Sequence, residues 1–303
     1  MGVTDVDFQN RIGIIGATSL VGASLLPLLT DAGWQVTAFS RRAMERLVDG
    51  VDWRIIRPHP LPKGEGAALL KDEGGIEWWV CVAPIWVLPN HFTLLEAQGA
   101  RRVVVLSSTS RFTKDDSTDA EEQAVAQRLA DAETQVREWA ASRKVEYVIL
   151  RPTLIYGLGQ DKNLTEIARF ICRFGFFPLF GQANGLRQPV HAVDVAKACL
   201  AAVRAPGAAN REYNISGGEM LTYRNMVCRI FTALDRHPRL LSVPLWVFRL
   251  AVNVLRRLPR YRQWSVAMAE RMNHDLVFDH GDATRDLDFL PRAFQLAPED
   301  LPK

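Results

Sequence analysis

Two glycines and a serine near the N-terminus have the spacing of a phosphate-binding turn. Gly16, Ser19 and Gly22 come at three-residue intervals between an apolar run at 12–15 and a helical pattern at 23–29. A strand that turns tightly into a helix aims free backbone N–H groups at one point, which favours a phosphate. Gly16 permits the turn, and Gly22 lets the helix lie close to the sheet. The pattern predicts a dinucleotide site; a glycine turn without ligand is the alternative. The predicted cofactor contacts in this turn are Gly16, Thr18, Ser19, Leu20, Val21 and Gly22.

The end of the predicted second strand, 34–39, indicates which dinucleotide binds. In a dinucleotide fold an acid at this point binds the ribose 2′-hydroxyl, whereas an arginine accommodates a 2′-phosphate. Ser40 stands where the acid is expected, and Arg41 and Arg42 follow it. The charges therefore favour NADP over NAD, with a solvated basic turn as the alternative interpretation.

Two further strand ends carry candidate contacts, because ligands of parallel sheets bind beyond the carboxyl ends of the strands. Ala83 and Pro84 follow the apolar strand 77–82 and are predicted to contact the cofactor; a proline that merely ends a strand is the alternative. Hydroxyl residues at 107–110 follow the strand 103–106 and are placed to donate hydrogen bonds to a carbonyl or a nicotinamide. A turn rich in local side-chain hydrogen bonds is the other interpretation.

Elements that position these residues alternate between strand and helix as far as Pro152. This alternation predicts an α/β fold, a Rossmann-type doubly wound parallel sheet with right-handed crossovers. We assign residues 1–157 to a dinucleotide-binding core and 158–303 to a small substrate-binding cap interwoven with the last sheet strands. The other predicted strands lie at 51–56, 145–150 (broken by Arg151 and Pro152) and 212–215, with an extended segment at 188–190. The other predicted helices lie at 89–99, 124–141, 164–177, 193–204, 223–235 and 246–258. We predict a loop and a short strand at 275–288.

Composition excludes several classes of protein. The 303 residues are 48% hydrophobic and 23% charged, an ordinary globular balance, and a net charge of +3 gives no indication of nucleic-acid binding. Four cysteines form no CxxC pair and six histidines show no paired spacing, so we expect neither a disulfide framework nor a metal site. We identify no signal peptide and no apolar run of membrane-spanning length. These features favour a reducing, cytoplasmic location.

Two apolar stretches have open interpretations. The stretch at 240–258 combines apolar residues with Arg249, Arg256 and Arg257, which suits a substrate lid or core helix, or contact with a membrane surface. Five phenylalanines at 170–180 are predicted to form core or pocket wall. The sequence also leaves open whether the protein forms a homodimer.

Five segments, taken in order, resemble the extended short-chain dehydrogenase/reductase family, in particular its NAD-dependent epimerase/dehydratase group. Residues 16–22 are similar to the GATGxxG loop, with Ser19 at its middle glycine, and residues 107–109 to the Ser/Thr segment. Residues 151–157, 187–196 and 287–292 are similar to the RPxxxYG, RxxIHVxDxA and LGFxP segments. The resemblance covers nearly the whole chain. It implies an NAD(P)-binding oxidoreductase or isomerase that acts on a small hydroxyl, carbonyl or sugar-nucleotide substrate.

The resemblance also assigns roles to single residues. Thr109 takes the position of the catalytic hydroxyl, and Ser107 and Pro152 lie in segments beside the nicotinamide. Arg187 matches an arginine that contacts the substrate's diphosphate. The further candidates for substrate binding are Thr109, Tyr156, Asn163 and Arg271.

One departure from the family pattern concerns its YxxxK pair, in which a tyrosine shuttles the proton and a lysine lowers the tyrosine pKa. Counting back from Arg151 places these positions at Val125 and Leu129, which cannot move a proton. Arg128 replaces some of the lysine's charge but is a poor proton donor.

Three interpretations follow from the missing pair. The protein is an atypical reductase or epimerase whose acid is Thr109, Tyr156, His191 or a substrate hydroxyl; or it binds NADP without turnover, as a redox sensor, assembly factor or scaffold. In the third, it binds a sugar nucleotide or another diphosphate without oxidising it.

Overall fold

The predicted parallel sheet contains seven strands. The computed structural model describes residues 10–41, 48–56, 75–115, 117, 119–248 and 266–302. The strands are β1 (Arg11–Ile15), β2 (Gln35–Ser40), β3 (Val51–Ile55), β4 (Trp78–Cys81), β5 (Arg102–Leu106), β6 (Glu146–Pro152), β7 (Ile155–Tyr156), β8 (Phe177–Phe180), β9 (Leu186–Arg187), β10 (Val190–His191), β11 (Arg211–Ile215), β12 (Leu221–Thr222) and β13 (Leu240–Val243). The large sheet has the order β11-β6-β5-β4-β1-β2-β3, with every neighbouring pair parallel. The order reverses between β1 and β4, which confirms the doubly wound α/β fold.

Helices cover both faces of this sheet. They are α1 (Leu20–Asp31), α2 (Phe92–Ala97), α3 (Ser110–Thr113), α4 (Ala120–Arg143), α5 (Leu164–Phe174), α6 (Ala192–Arg204), α7 (Tyr223–Ala233), α8 (Val266–Arg271) and α9 (Gly281–Leu287). Three-residue-per-turn helices occupy Ile85–His91, Pro206–Ala208 and Pro298–Asp300. Helices α1 and α6 bury Leu25 and Ala198 on one face, and α4 buries Leu129 and Val136 on the other. None of the helices in the described ranges is long and apolar enough to cross a bilayer.

The centre of the sheet depends on a close approach between β1 and β4. Gly13 is paired with Trp79 in the strand register, and a Cβ on Gly13 would lie 2.6 Å from the Trp79 ring. The indole is 1% exposed, and its Nε1 donates a 2.7 Å hydrogen bond to the Ile76 carbonyl. The absence of a side chain at Gly13 therefore makes room for the largest side chain in this part of the core.

The cap has its own core, built from α5, α7 and a two-stranded parallel pair of β8 and β13. Tyr156, Ile171, Phe231 and Phe294 are among its fully buried side chains. The chain also returns to the large sheet from this half, since β11 pairs with β6 and α6 packs against α1.

Three of the predicted elements are corrected by the structure. Arg151 and Pro152 do not break the sixth strand, because Ile215 pairs with Pro152 and the Pro152 carbonyl accepts a hydrogen bond from the Thr109 N–H at 3.1 Å. The segment 275–288 contains α9 rather than a strand, since Ala283 and Leu287 are buried one helical turn apart. The predicted helix at 89–99 starts as a tight helix at Ile85–His91, which contains Pro89, and becomes α-helical only at Phe92. Of the predicted helix at 246–258, only the part up to Phe248 lies within the described residues.

Candidate functional site

The crossover from β1 to α1 forms a tight turn against the end of β4. Gly16 has a φ of +86°, and a Cβ there would lie 2.4 Å from the backbone nitrogen of Ala83. Ser19 caps α1, since its hydroxyl accepts a hydrogen bond from the Gly22 N–H at 3.1 Å and donates one to the Val82 carbonyl at 3.2 Å. The glycine turn and Ala83 thus meet at the switch point of the sheet, where such folds bind ligands.

The first turn of α1 supplies donors at this point. A helix leaves its first N–H groups without partners inside the helix. The Ser19 hydroxyl accepts a hydrogen bond from the Gly22 N–H group, so the N–H groups of Leu20 and Val21 are the ones that point out of the helix end. Together with the partial positive charge of the helix N-terminus, these groups favour an anion such as a pyrophosphate. This cradle fits a nicotinamide dinucleotide.

The end of β2 lies at the same edge. Because Ile15 is paired with Phe39, Ser40 stands one residue beyond, level with Gly16. Arg41 follows and is exposed to solvent. Arg42 lies outside the described residues. The exposed guanidinium of Arg41 is therefore free to adjust to a ligand at this edge.

The hydroxyl segment after β5 is held against the end of β6. Thr109 is 6% exposed, and its hydroxyl donates a 3.3 Å hydrogen bond to the Pro152 carbonyl. Ser107 donates from its hydroxyl to Glu133 Oε1 at 2.6 Å. Ser108 accepts a hydrogen bond from the Ser110 N–H, as the local-turn interpretation predicts. The hydrogen bond to Pro152 thus fixes the Thr109 side chain at the end of β6.

The side chains at the positions of the family's tyrosine and lysine pack in apolar surroundings. Val125 and Leu129 belong to α4 and pack into the core beside β5. Arg128 is exposed, and its Cζ lies 4.4 Å from the centre of the Trp86 ring. No side chain able to exchange a proton stands at either position.

A buried carboxylate lies one turn further along the same helix. Glu133 is 0% exposed and binds Arg151 through both oxygens, at 2.8 and 2.7 Å, as well as Arg111. Arg151 also pairs with Glu212. Burial alone lowers the pKa of Arg151, but Glu133 and Glu212 outweigh it and raise that pKa. The sequence prediction did not include Glu133, although its spacing of four from Leu129 marks one acid on an apolar helix face.

The cap encloses a cavity of about 510 Å³. Asn163, Arg187 and Arg271, three of the predicted substrate-binding residues, all line it. Leu154, two residues beyond Pro152, lines it as well and joins it to the strand end that holds Thr109. The structure therefore brings these three polar residues together next to the predicted cofactor edge.

Arg187 is the buried cation of this cavity. It is 4% exposed and donates hydrogen bonds to the carbonyls of Leu186 and His274, both at 2.7 Å, and of Arg271. Within the described part of the chain it forms no ion pair with a carboxylate, whereas Arg271 pairs with Glu122 at 2.7 Å. Burial lowers the pKa of Arg187 to about 10, so it remains charged at neutral pH. Three of its five N–H groups are used, and two remain for a ligand.

Tyr156 and His191 are held away from this cavity. The Tyr156 ring is fully buried, its hydroxyl donates to the Gln295 carbonyl at 3.1 Å, and burial raises its pKa to about 12. His191 accepts a hydrogen bond from the Val193 N–H and lies 3.2 Å from Asp300 Oδ1. Both side chains tie the cap to the C-terminal segment, and neither is among the described residues that line the cavity.

Parts of the chain are similar in sequence to known proteins. The model of the NAD dependent epimerase/dehydratase family matches residues 90–216. UDP-glucose 4-epimerase of Vibrio cholerae is 28% identical over 121 residues, which are 40% of this chain and 37% of that protein. NADH dehydrogenase [ubiquinone] 1 alpha subcomplex subunit 9 of Arabidopsis thaliana, a mitochondrial protein, is 25% identical over 181 residues, 56% of this chain and 45% of that one. The matched part thus spans less than half the length of these curated relatives.

Solved structures share the fold over almost the whole chain. UDP-N-acetylglucosamine 4-epimerase from Bacillus cereus has a TM-score of 0.68 at 15% identity, with 94% of both chains covered. UDP-glucuronic acid 4-epimerase from the same organism, in complex with NAD, has a TM-score of 0.69 at 13% identity and covers 96% of this chain and 95% of that one.

Proposed function

We propose that the chain belongs to the extended short-chain dehydrogenase/reductase family, in its NAD-dependent epimerase/dehydratase group, and that it is a nicotinamide-dependent oxidoreductase or isomerase. The match of residues 90–216 to the family model supports this. The protein's substrate carries a hydroxyl or carbonyl group together with a phosphate or diphosphate. A sugar nucleotide has this chemistry, and the relatives named for UDP-sugars support that class. The dinucleotide, when bound, supplies the hydride chemistry.

The observation that carries this proposal is the cradle at Gly16. A side chain there would collide with the backbone of Ala83, and α1, whose first N–H groups have no partner inside the helix, begins four residues later. The close approach packs the glycine turn onto the end of β4, at the switch point of the sheet where such folds bind ligands. Pro84, Ser107 and Pro152 end neighbouring strands at this edge, and we assign them to the same cofactor.

We assign the 2′-phosphate form of the cofactor to the protein. Ser40 offers no carboxylate to repel a 2′-phosphate, and the exposed Arg41 follows it at the same edge as Gly16. An arginine at this strand end accommodates the 2′-phosphate of NADP, whereas an acid would bind the free ribose 2′-hydroxyl of NAD.

At the reacting end, this chain's own residues position the substrate. Thr109 accepts a hydrogen bond from the substrate's hydroxyl while it donates to the Pro152 carbonyl. Arg187 binds the anionic part of the substrate in the cap cavity, where Asn163 and Arg271 stand beside it. Because Val125 and Leu129 are apolar and the Thr109 hydroxyl already donates to a main-chain carbonyl, which is no base, Thr109 orients the substrate's hydroxyl and the proton is taken up by another group of the substrate itself.

Binding without turnover is the second candidate function, and the apolar pair at 125 and 129 favours it. A positioned acid–base pair contributes about 10²–10⁴-fold to rate, and its loss fits a protein that holds the dinucleotide as a sensor, assembly factor or scaffold. The subunit of mitochondrial NADH dehydrogenase among the relatives supports this alternative.

Titration with NADPH and NADH, followed by incubation with UDP-glucose and a panel of carbonyl compounds, separates these functions. We expect saturable binding of NADPH, tighter than that of NADH. Cofactor oxidation or sugar interconversion supports the enzyme, and binding with no turnover supports the sensor or scaffold. Absence of saturable binding of either dinucleotide contradicts both.

A further inference from the structure

The wall of the cap cavity is mostly hydrocarbon. Eleven of its sixteen lining residues are apolar or aromatic, among them Ile167, Phe170, Phe177 and Met226. The cavity volume of about 510 Å³ lies within the ~300–1,000 Å³ usual for small-molecule sites. The part of a ligand that fills this space must therefore be largely apolar.

Of the charged residues that line the cavity in the described part of the chain, Arg187 is the buried one. Its guanidinium lies 5.3 Å from the centre of the Tyr223 ring and has two N–H groups left for a ligand. A buried cation with no carboxylate partner among the described residues is costly, and a bound anion offsets that cost. The cavity thus combines one anion-binding point with an apolar chamber.

The apolar wall continues to the surface of the cap. Phe174 is 51% exposed, and its ring lies 4.6 Å from that of the lining residue Phe170. Leu241 is 54% exposed and is paired with the lining residue Pro178. An apolar ligand longer than the cavity therefore has an apolar path out of it.

A nucleoside fits this chamber poorly. Its base and ribose carry many polar groups, and burial without hydrogen bonds costs several kcal/mol by transfer measurements. Of the polar residues that line the cavity, Glu166 is paired with Arg169 and Arg271 with Glu122. Besides Arg187, the groups that remain are Lys162, Asn163 and the Tyr223 hydroxyl, and Lys162 and Asn163 are exposed residues that immediately precede α5. Few described side chains are thus placed to replace the water around a base.

We propose that the cap cavity binds a phosphate or diphosphate ester of a hydrocarbon chain, with the anion on Arg187 and the chain against the phenylalanine wall. This inference rests on the proposed function, since it names the substrate class of the same site: the ester also carries the hydroxyl or carbonyl group that the proposed chemistry requires, and the esters used below are unreactive analogues that test binding alone. It differs from it in placing an apolar chain where a sugar nucleotide has its nucleoside.

A series of probes of increasing chain length tests this proposal. Inorganic diphosphate, geranyl diphosphate, farnesyl diphosphate, UDP and UDP-glucose are titrated into the full-length protein by calorimetry, below the micelle concentration of the longer esters. We expect affinity to rise with chain length, with farnesyl diphosphate at least tenfold tighter than UDP or UDP-glucose, about 1.4 kcal/mol. Equal or tighter binding of UDP or UDP-glucose overturns the proposal, as does a series that does not depend on chain length.

Two variants separate the two ends of the site. Arg187→Met is expected to weaken every probe at least tenfold. Phe170→Gln changes a half-buried wall residue and is expected to remove the chain-length dependence while leaving inorganic diphosphate unchanged. If Phe170→Gln keeps the full dependence, the chain does not lie against this wall and the proposal fails.

NADPH binding, measured in the same preparations, keeps the two proposals apart. A protein that binds NADPH but none of the esters contradicts the apolar substrate and leaves the cofactor assignment standing. A protein that binds farnesyl diphosphate but no dinucleotide contradicts the proposed oxidoreductase and leaves the cavity's ligand class intact.

Discussion

The buried arginines of the sheet and of the cap have different kinds of partner. Arg151 in β6 is 7% exposed and is neutralised by Glu133 and Glu212. Arg187 in the cap is 4% exposed, and its partners are main-chain carbonyls. Burial lowers the pKa of Arg187 to about 10, whereas the two carboxylates raise that of Arg151 against the effect of burial.

This difference supports the assignment of Arg151 to the fold and the proposal that Arg187 binds a ligand. A cation saturated by carboxylates has no attraction left for an anion. A cation bound only by neutral carbonyls keeps its net charge and draws an anion into the cavity that it lines. Arginine thus supports the sheet at Arg151, and at Arg187 it has the charge and the position that the proposed anion site requires.

The largest effect should come from breaking the closed network. Arg151→Met leaves Glu133, which is 0% exposed, without its bidentate partner, and we expect a loss of about 3–5 kcal/mol in the free energy of unfolding. Arg187→Met leaves no carboxylate without a partner, so its loss should be clearly smaller. Urea unfolding of both variants measures this, and equal losses would refute the distinction. Asp282→Asn, in an exposed pair with Arg285, is the control and should change stability by less than about 1 kcal/mol.

A second prediction concerns the cofactor cradle, which belongs to neither network. Gly16→Ala places a Cβ 2.4 Å from the Ala83 nitrogen, and NADPH binding should weaken at least hundredfold, about 2.8 kcal/mol. Gly33→Ala is matched to it, because Gly33 also has a positive φ, of +80°, but has nothing within 4 Å of the added atom. Fluorescence titration should show near-normal affinity for Gly33→Ala, and an equal loss in both variants would trace the effect to backbone strain alone.

Stabilisation by an anion sharpens the comparison. At a hundred times its dissociation constant, inorganic diphosphate should add about 2.7 kcal/mol to the free energy of unfolding of the native protein. Arg187→Met should abolish this gain. Arg102→Met is the control, since Arg102 is also buried and also binds three carbonyls, but it has Glu146 as an ion-pair partner. Thermal unfolding with and without diphosphate measures this stabilisation. If Arg187→Met retained the gain in stability, this arginine would be excluded as the anion site.

The smallest effect is expected at the exposed arginine beyond β2. Arg41→Ala should weaken NADPH about tenfold, about 1.4 kcal/mol, and NADH much less, because only NADPH carries the 2′-phosphate. Parallel titrations with the two dinucleotides measure the difference. The same loss for both would contradict the assignment of the 2′-phosphate to this residue.

Local patterns predicted the parts of the fold that depend on neighbouring residues. The strand and helix around Gly16, the alternation up to Pro152 and the α/β class all follow from periodicity and turn chemistry. The continuation of β6 through Pro152 does not, because it depends on pairing with Ile215, 63 residues away. Helix α9 was missed for a similar reason, since two buried positions one turn apart in an acid-rich stretch give little periodic signal.

The residues of the candidate site also differ in whether local sequence patterns could predict them. Arg187, Asn163 and Arg271 are far apart in sequence, and their common cavity was anticipated only through a resemblance between motifs. Glu133 was absent from the prediction because its nearest arginine partners, Arg111 and Arg151, come from two other elements, although Arg137 follows it on the same helix. The tight packing of Tyr156 was equally out of reach, since its hydroxyl meets Gln295, 139 residues later.

The contact between Gly13 and the Trp79 indole makes the two positions mutually dependent in evolution. A methyl group at 13 would have to occupy the volume of the ring, 2.6 Å away, so alanine is admitted there only together with a narrower residue at 79. Among homologous chains, any bulkier residue in the first strand should therefore be accompanied by a smaller one in the fourth.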